Sequence, residues 1–402
     1  MALKRRSLLK MGVAVGAALA APRLALAADT VKIGAVAPKT GPLAGGSTVT
    51  HWPNIQLWAS QMNAQGGVDV AGTRKMVEVI EYDDQTNPGE TIKAVQRLAT
   101  QDSVDHIVAP YGTGFNIAAA PLFDRYKYPH LAVSAITDQT ESLAEQFNGM
   151  YFLLGNTTSF VQAVADVFKQ MQADGTLTGN KISMVNVADA FGIELATAAR
   201  RIFVEEGFEL VYDTSYPLGS QDLSPVMKAA KGAEPNAFVA WSYPPDTFGL
   251  TEQAIIEDLN VEAYYTAVAT CFPAFGGRFG GQINNCLGAG GIDPSTEAFQ
   301  TYAAAHTEVT GAAPDYWASA TTYASLQILE QTMAAVGLDR EAAVEHIAAT
   351  TFDTVMGDMS FNANHFNERY WTVGQWQDGV FRGVAETGRD GAVPIRVKQG
   401  WA

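Results

Sequence analysis

The sequence is short of thiols, cations and histidines. Two cysteines stand among 402 residues, Lys and Arg total 26 against 42 Asp and Glu, and there are six histidines. The formal charge of −16 sets the chain against nucleic acid and anionic lipid, because both are bound by neutralising phosphate with Lys and Arg. The histidines, at 51, 106, 130, 306, 346 and 365, are scattered, with no H-E-x-x-H and no i, i+4 pair to hold zinc. G-x-S-x-G and G-x-x-x-x-G-K are both missing, so neither a hydrolase nucleophile elbow nor a nucleotide cradle is visible. "GAGG" at 288–291 lacks the strand–loop–helix setting of a dinucleotide site. The acidic pair Asp83 and Asp84 follows a strand-like run and is explained by turn and cap formation. The reading is a protein with no catalytic residue, no metal site and no cofactor.

Long apolar runs are also missing beyond the N-terminus. There, "KRRSLLK" (4–10) precedes the apolar "MGVAVGAALAA" (11–21), and "ALA" (25–27) offers small residues at a cut site. Charged start, apolar middle and small-residue end predict a secretory signal over 1–27, cleaved near Ala27/Ala28. Adjacent Arg5 and Arg6 point to the twin-arginine route and hence to the periplasm. Removing 1–27 removes five cations and no acid, which takes the charge from −16 to −21. A chain this acidic is expected to be a soluble monomer. The 375 residues left are too many for one ordinary core, so two lobes are expected. Cys271 and Cys286 have fourteen residues between them. In an oxidising compartment they are expected to form one disulfide, contributing roughly 3 kcal/mol, with two unrelated buried thiols as the alternative.

From Val31 onward, short β-branched runs alternate with amphipathic stretches. "VKIGAVA" (31–37), "MVEVIEY" (76–82), "VDHIVAP" (104–110) and "HLAVSA" (130–135) read as strands; the pattern restarts near 150 with "KISMVNV" (181–187), "FELVYDT" (208–214), "NAFVAWS" (236–242) and "EAYYTAV" (262–268). Alternation of this kind predicts an α/β fold with two doubly wound parallel-sheet lobes and several crossings between them. Ligands of such sheets collect where strand carboxyl ends meet helix N-termini, here the turns at 38–52, 111–116, 134–138, 188–192, 243–246 and 269–272. The turn in "VAPYGTGFNIAAAP" (108–121) carries no charge, only glycines, small polar groups and two aromatics. Its backbone amides and one hydroxyl suit a negative group without a basic side chain. Pro121 is expected in a first helical turn, which would start the helix nearer 118 and leave 111–117 as loop.

Several blocks in order carry a family likeness: "VKIGAVAPKTGPLAGG", "MNAQGGVDVAGTRKMVEVIEYDDQTNPGETIKAVQRLA", "GTGFNIAAAPLFDRYKYPHLAVSAIT" and, near the C-terminus, "TTFDTVMGDMSFN". Over almost the whole mature chain the sequence resembles the leucine/isoleucine/valine-binding proteins, type I periplasmic receptors of branched-chain amino-acid-class ABC transporters. The resemblance implies two lobes on a three-strand hinge, closing around one solute. It places lobe 1 at 28–150 plus 292–355 and lobe 2 at 151–291 plus 356–402. It implies capture of a branched-chain amino acid or related small carboxylate or amide, delivery to an ABC permease in the inner membrane, and no chemistry on the solute. A ligand sensor that presents its closed form to a membrane receptor is the alternative, and a periplasmic hydrolase a weaker one.

Carried over by position, the resemblance implies a carboxylate site at Thr113, Gly114, Phe115 and Asn116, joined by Ser134, Ala135 and Thr137. Tyr111 is a candidate wall beside that turn. Phe191 (before Gly192) and Tyr243 match aromatics of the second lobe, and Trp52 falls in the region that walls the side-chain pocket. Amino-acid-binding members place an acid after the strand matching "EAYYTAV" to pair with the ligand's ammonium. Here Ala269, Thr270, Cys271 and Phe272 stand there, so Thr270 is the only polar oxygen-bearing side chain offered. Asp189 or Asp246 could substitute from a neighbouring turn, and a ligand lacking an ammonium is the competing expectation, since a buried ammonium without a counter-charge is costly.

Overall fold

The computed structural model describes residues 30–368, 370–386 and 393–401. The expected signal at 1–27 lies outside them. In chain order, β1 (Val31–Ala37) leads to α1 (Ala44–Thr50) and α2 (Trp52–Ala64). The small hairpin β2 (Val68–Val70) and β3 (Thr73–Lys75) follows, then β4 (Val77–Asp83), α3 (Pro88–Arg97), β5 (His106–Val108) and α4 (Thr113–Arg125). β6 (His130–Ala132), α5 (Thr140–Gln146) and β7 (Met150–Phe152) complete this part. β4, β1 and β5 form one parallel sheet in that order, and β6 pairs with β7 in parallel. The local rules hold here: Asn87 caps α3 by accepting from Gly89 and Glu90, and Pro88 occupies the first turn, where a missing N–H costs nothing.

The chain then crosses to a second body. It runs through α6 (Thr157–Ala173), β8 (Lys181–Val187), α7 (Ala190–Glu205), β9 (Glu209–Tyr216), α8 (Ser224–Gly232) and β10 (Ala237–Trp241). It goes on to α9 (Pro244–Ile256), β11 (Ala263–Thr266), α10 (Pro273–Phe279) and β12 (Leu287–Ala289). A return follows through α11 (Glu297–Thr310), α12 (Ala318–Val336), α13 (Arg340–Ala349) and the hairpin β13 (Phe352–Thr354) and β14 (Gly357–Met359). A last passage reaches β15 (Trp371–Gln377) and β16 (Val380–Glu386). The second sheet has the order β16-β15-β12-β11-β10-β8-β9, parallel from β9 to β12 with β15 and β16 added antiparallel at one edge. Two doubly wound lobes joined by three crossings are therefore present.

Each lobe has its own core. Trp58, Leu57 and Ile55 of α2 pack with Phe299 and Tyr302 of α11 and Leu326 and Ile328 of α12, which ties the returning helices to the first lobe. Phe168, Phe203, Phe238 and Tyr264 belong to the core of the second. An expected boundary at 355/356 would cut the β13–β14 hairpin. Met359 and Phe361 share the first core, and Phe366 bridges Phe152.

Two expectations fail. α4 starts at Thr113, five residues earlier than Pro121 suggested, and Pro121 lies inside it on an exposed face. Gly112, at φ +97°, turns the chain, and Asn116 Nδ2 clamps the start by donating to the Pro110 and Gly112 carbonyls at 2.7 and 2.9 Å. These contacts outweigh the one backbone bond that Pro121 cannot make.

Cys271 and Cys286 are free, buried thiols and not a disulfide. In the parallel pair β11–β12, Thr266 lies opposite Gly288. Cys286 therefore enters β12 near the starting end of β11, whereas Cys271 lies beyond its finishing end. A bridge needs the two Cα atoms within about 7 Å. The Cys271 thiol instead faces Asp315 Oδ1 at 3.7 Å, and burial pushes the Cys286 thiol up to about 12. Dithiothreitol is therefore expected to leave the thermal unfolding midpoint unchanged, and the denatured protein to titrate two thiols without reduction. A midpoint that drops on reduction would show a bridge.

Candidate functional site

The carboxyl ends of the two sheets face one another, and the helices that follow them meet across the gap. A Cβ built on Gly114, in the first turn of α4, would lie 3.5 Å from the Cβ of Ala190 in the first turn of α7. One on Gly112 would lie 3.5 Å from the Tyr243 hydroxyl, and one on Gly219 would lie 3.3 Å from Pro42. Four rings run from lobe to lobe through this zone. His51 meets Tyr111 edge-on at 5.4 Å, Tyr111 lies 6.3 Å from Tyr243, and Tyr243 lies 4.9 Å from Phe191. The lobes are thus closed on each other, with Tyr111 and Phe115 on one side and Tyr243 and Phe191 on the other. Gly46 makes room for Tyr111, since a Cβ there would collide with its hydroxyl.

On the first lobe, the expected small polar residues hold the turn. Ser134 Oγ accepts from the Gly112 amide at 2.9 Å and donates to the Pro110 carbonyl at 3.2 Å. Thr113 Oγ1 accepts from the Ile136 amide at 3.2 Å and donates to its carbonyl at 3.4 Å. Asn116 Oδ1 meets His130 Nε2 at 2.9 Å, and Ala135 is fully buried. With Ser134 and Thr113 spent on loop geometry, no side chain caps α4 among the described residues. The first amides of a helix have no intrahelical acceptor and carry partial positive charge. What the turn can offer a ligand is therefore backbone N–H at Thr113, Gly114 and Phe115.

The second lobe shows the opposite polarity. Asp189 caps α7 by accepting from the Gly192 amide at 2.9 Å. Asp246 sits in the first turn of α9, accepting from the Tyr243 amide at 3.3 Å and the Tyr216 hydroxyl at 3.4 Å. Burial pushes the Asp246 carboxyl up to about 6, against the pull of those two donors, and the nearby Asp189 charge adds to the rise. Burial raises Asp189 as well. The Tyr243 hydroxyl is buried beside Asp189 without a hydrogen bond of good geometry. His51 is pushed down to about 4 by burial, so it adds no positive charge at neutral pH. The site is neutral and donor-rich on one wall, acidic on the other.

Three expected residues are placed differently. The Thr137 hydroxyl is shared between both oxygens of Glu194, each at 2.9 Å, and so serves a contact between the lobes. Thr270 Oγ1 turns back to the Thr266 carbonyl at 2.7 Å and hydroxyl at 2.6 Å, beneath Gly288, so it is committed to the strand end. Trp52 packs on both cores, with Lys39 Nζ 4.5 Å above its ring and its indole N–H buried without a partner. Ala269 holds φ at +77°, a costly conformation for alanine, at the point where an acid was sought. Sequence reasoning missed Tyr216, which ends β9 and reaches Asp246. It also missed Asp315, buried, which caps α12 through the amides of Trp317, Ala318 and Ser319. The spacing Asp315…Ser319 ahead of an apolar helix was the available signal for the second.

A raised acid makes the folded state hold its proton to higher pH than the unfolded chain does. The folded form of Asp246 titrates near 6 against an ordinary 3.8, so stability falls as pH rises through that interval and stays lower above it. Asp246→Asn is expected to flatten the urea midpoint between about pH 4 and 6 relative to wild type. An unaltered pH dependence would show that Asp246 ionises normally.

A family model described as a periplasmic binding protein matches residues 30–380. Leu/Ile/Val-binding protein homolog 7 of Brucella abortus (strain 2308) is 24% identical over 399 residues, covering 93% of this chain and 95% of the relative. Homolog 8 of Brucella suis biovar 1 is 24% identical over 407 residues, with the same coverage. Among solved structures, LivJ from Streptococcus pneumoniae in complex with isoleucine superimposes with a TM-score of 0.75 at 19% identity, covering 89% of this chain and 98% of that one. A solute-binding protein of an ABC transporter from R. palustris in complex with benzoate gives 0.76 at 15%, covering 92% and 99%. These structures share the two-lobed fold. With its family model spanning most of the sequence, the chain belongs to the periplasmic binding proteins.

Proposed function

We propose that the protein is the solute-capturing receptor of an ABC importer, taking up a branched-chain amino acid or a related small carboxylate between its lobes. The observation that carries this reading is the uncapped start of α4 facing two acid-capped helices across one aromatic-walled gap. A carboxylate fits the amides of Thr113, Gly114 and Phe115, which are short of an acceptor. A donor or ammonium fits Asp189 and Asp246, which have no basic partner among the described residues; removing charge from water without one is expensive. Tyr111, Phe115, Phe191 and Tyr243 supply apolar surface for the part between, as small-molecule sites generally require.

Relatives of the fold bear names that include both isoleucine and benzoate as ligands. The acidic wall favours the first kind here, because a benzoate brings nothing positive to it. Lobes with their own sheets, divided near 150 and 292 and rejoined after the β13–β14 hairpin, would rotate about the three crossings as they close. Delivery to an inner-membrane permease and a monomeric state go with this reading.

Isothermal titration with L-leucine, L-isoleucine, benzoate and 4-hydroxybenzoate tests it. Saturable 1:1 binding of an amino acid is expected. Tyr243→Phe, which removes only a buried hydroxyl beside Asp189, is expected to weaken that binding by about 1–2 kcal/mol without lowering the unfolding midpoint. If benzoate binds and the amino acids do not, the acidic wall has another role. If Tyr243→Phe leaves affinity unchanged, the hydroxyl does not reach the ligand.

A further inference from the structure

The lobes are held together by more than the gap between the sheets. Glu194, in the second turn of α7, reaches across to the dipeptide Thr137–Asp138, which follows β6 in the first lobe. The Thr137 hydroxyl is 2.9 Å from each Glu194 oxygen, and the Asp138 amide donates to Oε1 at 2.6 Å. The same dipeptide is gripped a second time. Asp138 accepts from the Thr158 amide and hydroxyl, both at 2.7 Å, at the start of α6. Thr158 follows directly on the first crossing, at 153–156, so that contact lies close to the pivot.

We infer that Glu194 is a positioning residue for solute capture: it touches no ligand but latches the closed lobes through Thr137 and Asp138, and thereby sets affinity. The inference rests on the receptor reading above. Three features point to a latch and not to packing. All of Glu194's cross-lobe donors are neutral groups of the opposite lobe, so the contact exists only when the lobes meet. A carboxylate accepting neutral donors makes stronger bonds than a neutral acceptor, yet it is readily rehydrated on opening. Glu194 also shares one rigid helix with Asp189 and Phe191, only three residues beyond the latter. A solute that draws the start of α7 onto α4 carries Glu194 onto Thr137 in the same movement. Thr137 Oγ1 also accepts from the Gln139 amide at 3.1 Å, which fixes the hydroxyl in place to donate.

Affinity for a two-state receptor is scaled by the fraction of molecules able to adopt the closed state. Glu194→Ala and Thr137→Val are each expected to weaken binding of L-leucine roughly tenfold, chiefly through faster dissociation. The double variant is expected to be no weaker than Glu194→Ala alone, because Thr137→Val removes only bonds that Glu194→Ala already removes. Small-angle scattering of ligand-free Glu194→Ala is expected to show a larger radius of gyration than wild type, with an unchanged unfolding midpoint. Glu194→Gln, which keeps an acceptor, is expected to fall between wild type and Glu194→Ala. Unchanged affinity and radius, additive single effects, or tighter binding without Glu194 would each overturn the latch. Tighter binding would mean that Glu194 competes with the solute for Thr137. If L-leucine fails to bind wild type, the proposed ligand class is wrong, while the scattering comparison still decides the latch.

Discussion

Helix N-termini that face a closed gap must have their first amides satisfied, and the rest of this molecule follows from how that is done. α7 and α9 satisfy theirs with their own carboxylates, Asp189 and Asp246, and α6 with Asn156. α4 does not: its flanking polar residues are turned inward to hold the Pro110–Gly112 turn against the Ser134–Ile136 turn. One open donor set opposite two acid caps gives the gap a direction. It also sets the buried Asp246 carboxylate within reach of the charge of the half-buried Asp189, a costly arrangement that a cation or a shared proton relieves.

The parallel sheets make this possible. Strand carboxyl ends and helix starts are brought to the same edge by the βαβ crossover, so two such lobes meeting edge to edge oppose six helix-start turns without any long loop. The aromatic chain from His51 to Phe191 spans the gap, and Glu194, three residues beyond Phe191 on α7, meets Thr137 of the other lobe. The proposed binding wall and the proposed latch thus share one short stretch of α7, from Asp189 to Glu194. The two cysteines are buried, with thiols held well above neutrality, and relatives of the chain are named as binding proteins.

Much of this was legible in the residues. Alternating β-branched runs and amphipathic stretches specify the sheets, and the strand-end rule brings Tyr111, Phe115, Phe191 and Tyr243 to one place. What was not legible is where hydroxyls and thiols turn. Thr137 and Thr270 stand at strand ends as expected, yet one is taken by Glu194 from another lobe and the other by Thr266 beneath a glycine. Such partners are 57 residues apart in the first case and four in the second, and nothing in local spacing distinguishes them. The start of α4 and the separation of Cys271 from Cys286 failed for the same reason. A tertiary clamp by Asn116 outweighed the preference of Pro121, and strand register outweighed closeness in sequence.

An open donor set opposite two acids calls for one bound solute of matching chemical polarity. Mass spectrometry of small molecules released by denaturing the protein, purified without added ligand, tests it most directly. A compound with a carboxylate at one end and an amino or other donor group near it is expected, present at up to one equivalent per chain. Release of a solute without a carboxylate, or of a purely anionic one with no donor for Asp189 and Asp246, would contradict it.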